Sequence, residues 1–169
     1  TDQGINRKLP PIDKTESDVV IKEKNILQVL VNKNNQLLVK DEVVELKDLR
    51  SKAIDFLDNG GDGTCAYCKG SKNPESSDNP TKAIISLQND AETSYGTYIA
   101  VQNELVAAYY ELRDRECKKK YGVTFREIEA AFDDPKTPKS RLDGLEAKIT
   151  VIQDLYPQKL SEAEPKSSN

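Results

Sequence analysis

The 169-residue sequence contains no histidine. Its absence removes the commonest general base near neutral pH and the commonest transition-metal ligand, and so argues against catalysis. Aromatic residues make up only 6%, and 25 Lys and Arg face 29 Asp and Glu for a net charge of −4. Without a broad cationic field or a bank of stacking rings, nucleic acid is not an expected partner. No stretch approaches the roughly 18–20 apolar residues that span a bilayer, and the opening TDQGINRKLPP lacks the apolar run and cleavage site of a signal peptide. The length suits one folded domain with loose ends.

What is present reads as alternating strands and helices. Thr1 to Asp18 is polar and aperiodic, with Pro10-Pro11 restricting the backbone, and is expected to be an extended lead-in. DVVIKE (Asp18–Glu23) is short and β-branched, an edge strand or an arm that docks on another chain. Ile26–Val31 and Gln36–Val39 flank the turn-rich Asn32–Asn35 and predict a hairpin, followed by a turn and Val43-Val44. Leu46, Leu49, Ala53 and Phe56/Leu57 then recur on one helical face from about Glu45 to Asp58.

Beyond a polar stretch, Lys82–Gln88 alternates like a strand buried mostly on one side. A long helix is predicted from a Thr93 or Ser94 cap to a stop at Gly122, with Tyr95, Tyr98/Ile99, Leu105, Tyr109 and Leu112 on its buried stripe. Asn103, Glu104, Glu111 and Asp114 face away. Thr124 and Glu127 have the spacing of a capping box for a short helix. Thr137-Pro138 reads as the cap and first turn of another helix, with Leu142, Leu145, Ile149 and Ile152 as its stripe. Gln158–Ala163 is a last short strand. This order predicts an α+β fold, two-layer, with a mixed β-sheet and helices packed on one face. The other face needs a partner or water, and open sheet edges invite pairing with a second chain.

The most chemically suggestive stretch is GDGTCAYCKGSKNPESSDNP, Gly61 to Pro80, where Cys65 and Cys68 stand in a C-x-x-C. Its composition predicts a flexible, exposed excursion that neither packs nor pairs. A redox pair belongs where a helix N-terminus lowers a thiol pKa, whereas this motif follows a helix and has only Lys69 as a nearby cation. A zinc site needs four ligands, and Cys65, Cys68 and Cys117 supply three. The reading adopted is a short disulfide, or no bond, in an oxidising compartment; pairing of either cysteine with Cys117 stays open. Asp58 and Asp62 in DNGGDGT lack the frame of a calcium loop and read as a polar turn. No catalytic, metal or cofactor residues are expected.

INRKLPP (Ile5–Pro11), NILQVLVNKNNQLLV (Asn25–Val39), KAIISLQND followed by TSYGTYIAVQNELVAAYYELRD (Lys82–Asp114), and LSEAEP (Leu160–Pro165), in this order, resemble the ExbD/TolR family, in particular the ExbD proteins of Bacteroidota. The resemblance implies a single-pass protein of the cell inner membrane, with this chain on the periplasmic side and Thr1 just outside a membrane helix that carries the proton-bearing Asp. It implies a homodimer that works with an ExbB-type membrane subunit through that helix and with TonB. The task would be to couple proton flow to TonB-dependent outer-membrane transport. On this reading residues 1–24 are a periplasmic linker or arm, 25–165 the family domain with insertions at 61–80 and 124–156, and 166–169 a tail. Leu9, Pro10, Pro11, Val19, Val20 and Ile21 are the candidate partner contacts. The alternatives are a TolR-like module that binds peptidoglycan and a thiol-disulfide protein using Cys65 and Cys68.

Overall fold

A computed structural model describes residues 21–165. Ile26–Val31 (β1) and Leu37–Val39 (β2) form the expected antiparallel hairpin, with Val29 opposite Val39. Within the turn, the Asn32 side chain accepts hydrogen bonds from the Asn34 and Gln36 amides, at 3.0 and 2.9 Å. Asn35 takes a φ of 61°, a left-handed conformation that asparagine tolerates. Glu42–Val44 (β3) adds antiparallel to β2, and Leu46–Leu57 (α1) follows. Ile84–Asn89 (β4) runs parallel to β1 with Ile26 opposite Ile84, and Leu160–Glu162 (β5) runs parallel to β4. The order β3-β2-β1-β4-β5 is a mixed sheet whose two central strands, β1 and β4, are parallel.

Three further helices lie between β4 and β5: Tyr95–Tyr121 (α2), Phe125–Asp133 (α3) and Lys139–Leu155 (α4). The caps of the first two are those the sequence predicts. The Ser94 hydroxyl accepts from the Thr97 amide, Gly122 ends α2 at φ 78°, and Thr124 and Glu127 form a reciprocal capping box. At α4 the expectation fails: Pro138, not Thr137, is the capping residue, and the Thr137 hydroxyl donates to the Ala131 carbonyl at 2.5 Å instead. A threonine is free to satisfy a preceding helix end rather than the next helix start, and spacing does not distinguish the two.

Alternate residues of β1 and β4 (Leu27, Val29, Val31, Ile85, Leu87) are buried against Leu49, Ala53, Phe56 and Leu57 of α1 and against Val101, Leu105, Ala108 and Tyr109 of α2. This is the two-layer α+β architecture with helices on one face. A second cluster joins Cys117 near the end of α2 to Phe125, Ile128, Leu145, Ile149 and Ile152. At 1.5 Å per residue the 27-residue α2 is about 40 Å long, so its early turns cover the sheet while its late turns carry α3 and α4. Arg50 of α1 clips the solvent side of the helix pair, with Nε 2.8 Å from Glu104 and a terminal nitrogen 3.3 Å from Glu111. Glu104 and Glu111 thus face away from the core as expected, but toward a cation.

Three local readings are corrected. Leu46 and Tyr95, assigned to buried stripes, are 42% and 78% exposed, because each opens its helix and hydrophobic phase does not tell where the underlying sheet ends. Of DVVIKE, residues 18–20 lie outside the described residues, and the rest is not a strand: Glu23 begins a single 3-10 turn, Glu23–Asn25, that leads into β1. The Gly61–Pro80 excursion is neither flexible nor exposed throughout. It is bonded to the C-terminal end of α1, as described next.

Candidate functional site

Ile21, the first described residue, is half-buried, and the turn that leads into β1 is pinned to the excursion. Buried Asn25 donates from Nδ2 to Asp78 Oδ2 at 3.1 Å and accepts from the Asp78 amide at 2.8 Å, while the Lys24 ammonium lies 2.6 Å from Asp78 Oδ1. The Lys24 ammonium first, then the Asn25 amide, hold the Asp78 carboxyl below its usual range. A lowered folded pKa means that the stability Asp78 contributes is present above the unfolded value near about 3.9 and is lost as pH falls through the folded value. The stability gap between the native chain and Asp78→Asn, read from urea melts, is therefore expected to be constant between about pH 6 and 8 and to shrink below about pH 4. A gap that widens on acidification contradicts the assignment.

Cys65 and Cys68 are joined as a disulfide and Cys117 is a free, buried thiol. Burial pushes the Cys117 thiol up, the opposite of what a nucleophilic thiolate requires. Both bridged cysteines are only 6% exposed, so the bridge is part of the packed structure. Of the two residues between them, Tyr67 lays its ring edge-on against Tyr156 with centroids 5.4 Å apart, and its hydroxyl donates to the Leu155 carbonyl at 2.6 Å.

Beneath this pair lies a buried charge network. Asp58 caps the C-terminus of α1 and receives two guanidinium bonds from Arg115, at 2.8 and 3.1 Å, plus the Tyr156 hydroxyl. Arg115 also meets Glu116 at 2.9 Å, and Arg113 donates to the Tyr156 carbonyl at 3.1 and 3.0 Å. Burial first, then the bond to Asp58, raises the Tyr156 hydroxyl above its ordinary value, so it remains a donor. The network ties α1, the last third of α2 and the α4–β5 junction together.

The strand order leaves β3 and β5 as edges, each three residues long. Opposite the helices, the sheet presents Val43, Leu38 and Leu30 in one cross-strand row and Ile26 beside Ile84 in another, with Gln28 and Ser86 between. Val43 is 67% exposed. On the helix side of β5, Glu162 accepts from the Tyr98 hydroxyl at 2.6 Å and from the Gln102 amide. Edges of this kind can accept an extended segment by main-chain pairing. Among the described residues no group of three His, Cys, Asp or Glu is placed to hold a metal ion.

Of the candidate contacts, Leu9, Pro10, Pro11, Val19 and Val20 lie outside the described residues, and Ile21 stands at the domain entry. The Asp58–Arg115–Tyr156 network was missed because its members are 57 and 98 positions apart. One signal was available: an aspartate at a helix C-terminus opposes the helix dipole, and α1 has no basic residue in its last turn to offset it. Such a residue implies a cation from elsewhere in the chain. No curated protein matches the chain. A family model described as "Biopolymer transport protein ExbD/TolR" matches residues 1–113, which takes in β1 to β4, α1 and most of α2.

Proposed function

The chain belongs to the ExbD/TolR family of biopolymer transport proteins, and from that premise we propose that it is the periplasmic domain of an ExbD-like subunit. In this reading the subunit is tethered to the inner membrane and works with an ExbB-type subunit and TonB. The complex converts the proton-motive force into work on TonB-dependent outer-membrane transport. The family is one of transport and energy transduction, not of catalysis.

The family match carries the proposal, because it spans β1 to β4, α1 and most of α2, including the β3 edge. A buried Cys65–Cys68 disulfide supports an oxidising compartment. Residues 1–24 would serve as the linker and 25–165 as the working domain, active as a homodimer. Leu9–Pro11 and Val19–Ile21 would be the surface that meets TonB, by strand addition at an open edge. The C-x-x-C lies after α1 and not at a helix N-terminus, which favours a structural role over thiol-disulfide exchange.

The test is complementation. The full-length gene product containing this chain is expected to restore TonB-dependent uptake in cells lacking their ExbD-type subunit. Failure of uptake together with retention of the domain on isolated cell wall would replace this reading with the TolR-like one.

A further inference from the structure

At the domain entry Lys22, Lys82 and Lys159 gather around a cavity of 300 Å³, with Ile21 and Ile84 in its wall. In a chain with a net charge of −4 this is a local inversion of sign. The carboxylate in the described lining, Asp78, is bonded to Lys24 and Asn25 and also lies within electrostatic reach of Lys22, and Asp62 lies within reach of Lys82, so the three ammonium groups are compensated only in part. Lys159 donates to the Thr81 carbonyl, and Lys22 and Lys82 ion-pair with no carboxylate among the described residues. Among the described lining residues three ammonium groups therefore face one carboxylate, which Lys24 shares.

A second observation concerns its walls. Ile84 lies opposite Ile26 on the open sheet face, so an apolar shelf of Ile21, Ile26 and Ile84 borders the cations. A free anion has no use for such a shelf, whereas a phosphate headgroup with its glycerol and upper acyl carbons matches both parts. We propose that this cavity is a binding site for the phosphate headgroups of an anionic bilayer, which docks the entry pole of the domain on the membrane surface. The proposal rests on the reading that residues 1–24 lead from a membrane tether, because that reading turns this pole toward the bilayer. Lys22 and Lys82, both exposed, supply most of the attraction.

The test is cosedimentation of the 169-residue chain with vesicles of equal parts phosphatidylglycerol and phosphatidylcholine, against phosphatidylcholine alone. Binding is expected only to the anionic vesicles and is expected to fade as salt shortens the screening length from about 30 Å at 0.01 M to about 8 Å at 0.15 M. Each lysine near the surface accounts for about a fivefold change in partitioning, so Lys22→Gln/Lys82→Gln should lose about 25-fold. Lys119→Gln/Lys120→Gln alters net charge equally in the last turn of α2 and should change binding less than twofold; an equal loss in both pairs would overturn the site. Inorganic phosphate provides the other arm: amide shifts at Asn25, Thr81 and Lys82 without vesicle binding would assign the cavity to free anions and reject the membrane. All of these readouts are independent of uptake in cells, so this proposal and the functional one fail separately.

Discussion

Replacing Asp58 with alanine is expected to destabilise the chain by about 3 kcal/mol, the lower end of the range for breaking a buried ion pair. The lower end applies because the Asp58 side chain is 5% exposed but that of Arg115 is 28% exposed and keeps some water. The substitution strands two groups at once. Arg115 retains Glu116 at 2.9 Å but loses its bidentate partner, and the Tyr156 hydroxyl, on a residue with 0% exposure, loses its acceptor. For a chain of this length about 3 kcal/mol corresponds to a fall of roughly 6–12 °C in Tm. Asp58→Asn should cost less, since its oxygen still accepts from Tyr156, although its amide nitrogen then faces the Arg115 donor that Oδ2 held. Adding Arg115→Met to Asp58→Asn should deepen the loss, because the Glu116 carboxylate, 5% exposed, then loses its Arg115 partner. A loss below about 1 kcal/mol for Asp58→Ala would show that the network is not what holds α1 to the α4–β5 junction.

Asn59→Ala is expected to cost about as much, near 3 kcal/mol, through backbone groups and not through charge. Asn59 is 1% exposed, and both ends of its amide are used. Nδ2 donates to the carbonyls of Asn73 and Ser77 at 2.9 and 2.7 Å, and Oδ1 accepts from the Asn73 amide and the Ser71 hydroxyl at 3.0 and 3.2 Å. Alanine strands the Asn73 amide and the Ser71 hydroxyl and takes one of two donors from each carbonyl, which keep only the Ser76 and Gly61 amides, at about 1–3 kcal/mol for a buried orphan. Asn59→Asp is the discriminating variant. It has the same shape, but its second oxygen would face the two carbonyls, so it should be as damaging as alanine. Limited proteolysis should find new cleavage between Gly61 and Pro80 in both variants; an excursion that stays resistant would mean that the disulfide holds it unaided. The bridge is the weaker fastening: with the cysteines only 3 apart in sequence, loop-closure entropy credits it with about 2 kcal/mol.

The same residue explains why two nearby glycines are required. A Cβ on Gly61 would lie 2.5 Å from the Asn73 carbonyl oxygen, and one on Gly70 would lie 2.5 Å from that of Asp58. The excursion is wrapped so tightly around the end of α1 that main chain meets main chain, which only glycine permits.

The readings that succeeded were local ones. The hairpin around Asn32–Asn35, the Ser94 cap, the Gly122 stop and the Thr124/Glu127 box are each completed within a few residues by hydrogen bonds between near neighbours. Alternation in Ile84–Asn89 and the helical stripe of α2 likewise state which face is buried, because side-chain direction follows backbone period. From these the two-layer mixed sheet and its exposed edges were legible. The ordered segments from Ile5 to Asp114 also pointed to the family that the match over residues 1–113 shows.

Only the tertiary structure decided the state of Gly61–Pro80. Its Gly, Ser, Asn and Asp content signals a loop, but a loop can turn its polar groups to water or to another part of the chain. Here Asn59 supplies the partners from within the adjoining turn, and Asn25 supplies them from the turn before β1. The choice among disulfide pairings was settled in the same way, with Cys65 and Cys68 bridged beneath Tyr67 and Cys117 enclosed by α3 and α4. The sequence by itself determined which segments are helix and strand, since those depend on near neighbours. Which polar residues stand buried against one another depends on contacts 53 to 98 positions apart, as in Asn25–Asp78, Asp58–Arg115 and Asp58–Tyr156, and nothing short of the folded chain brings them together.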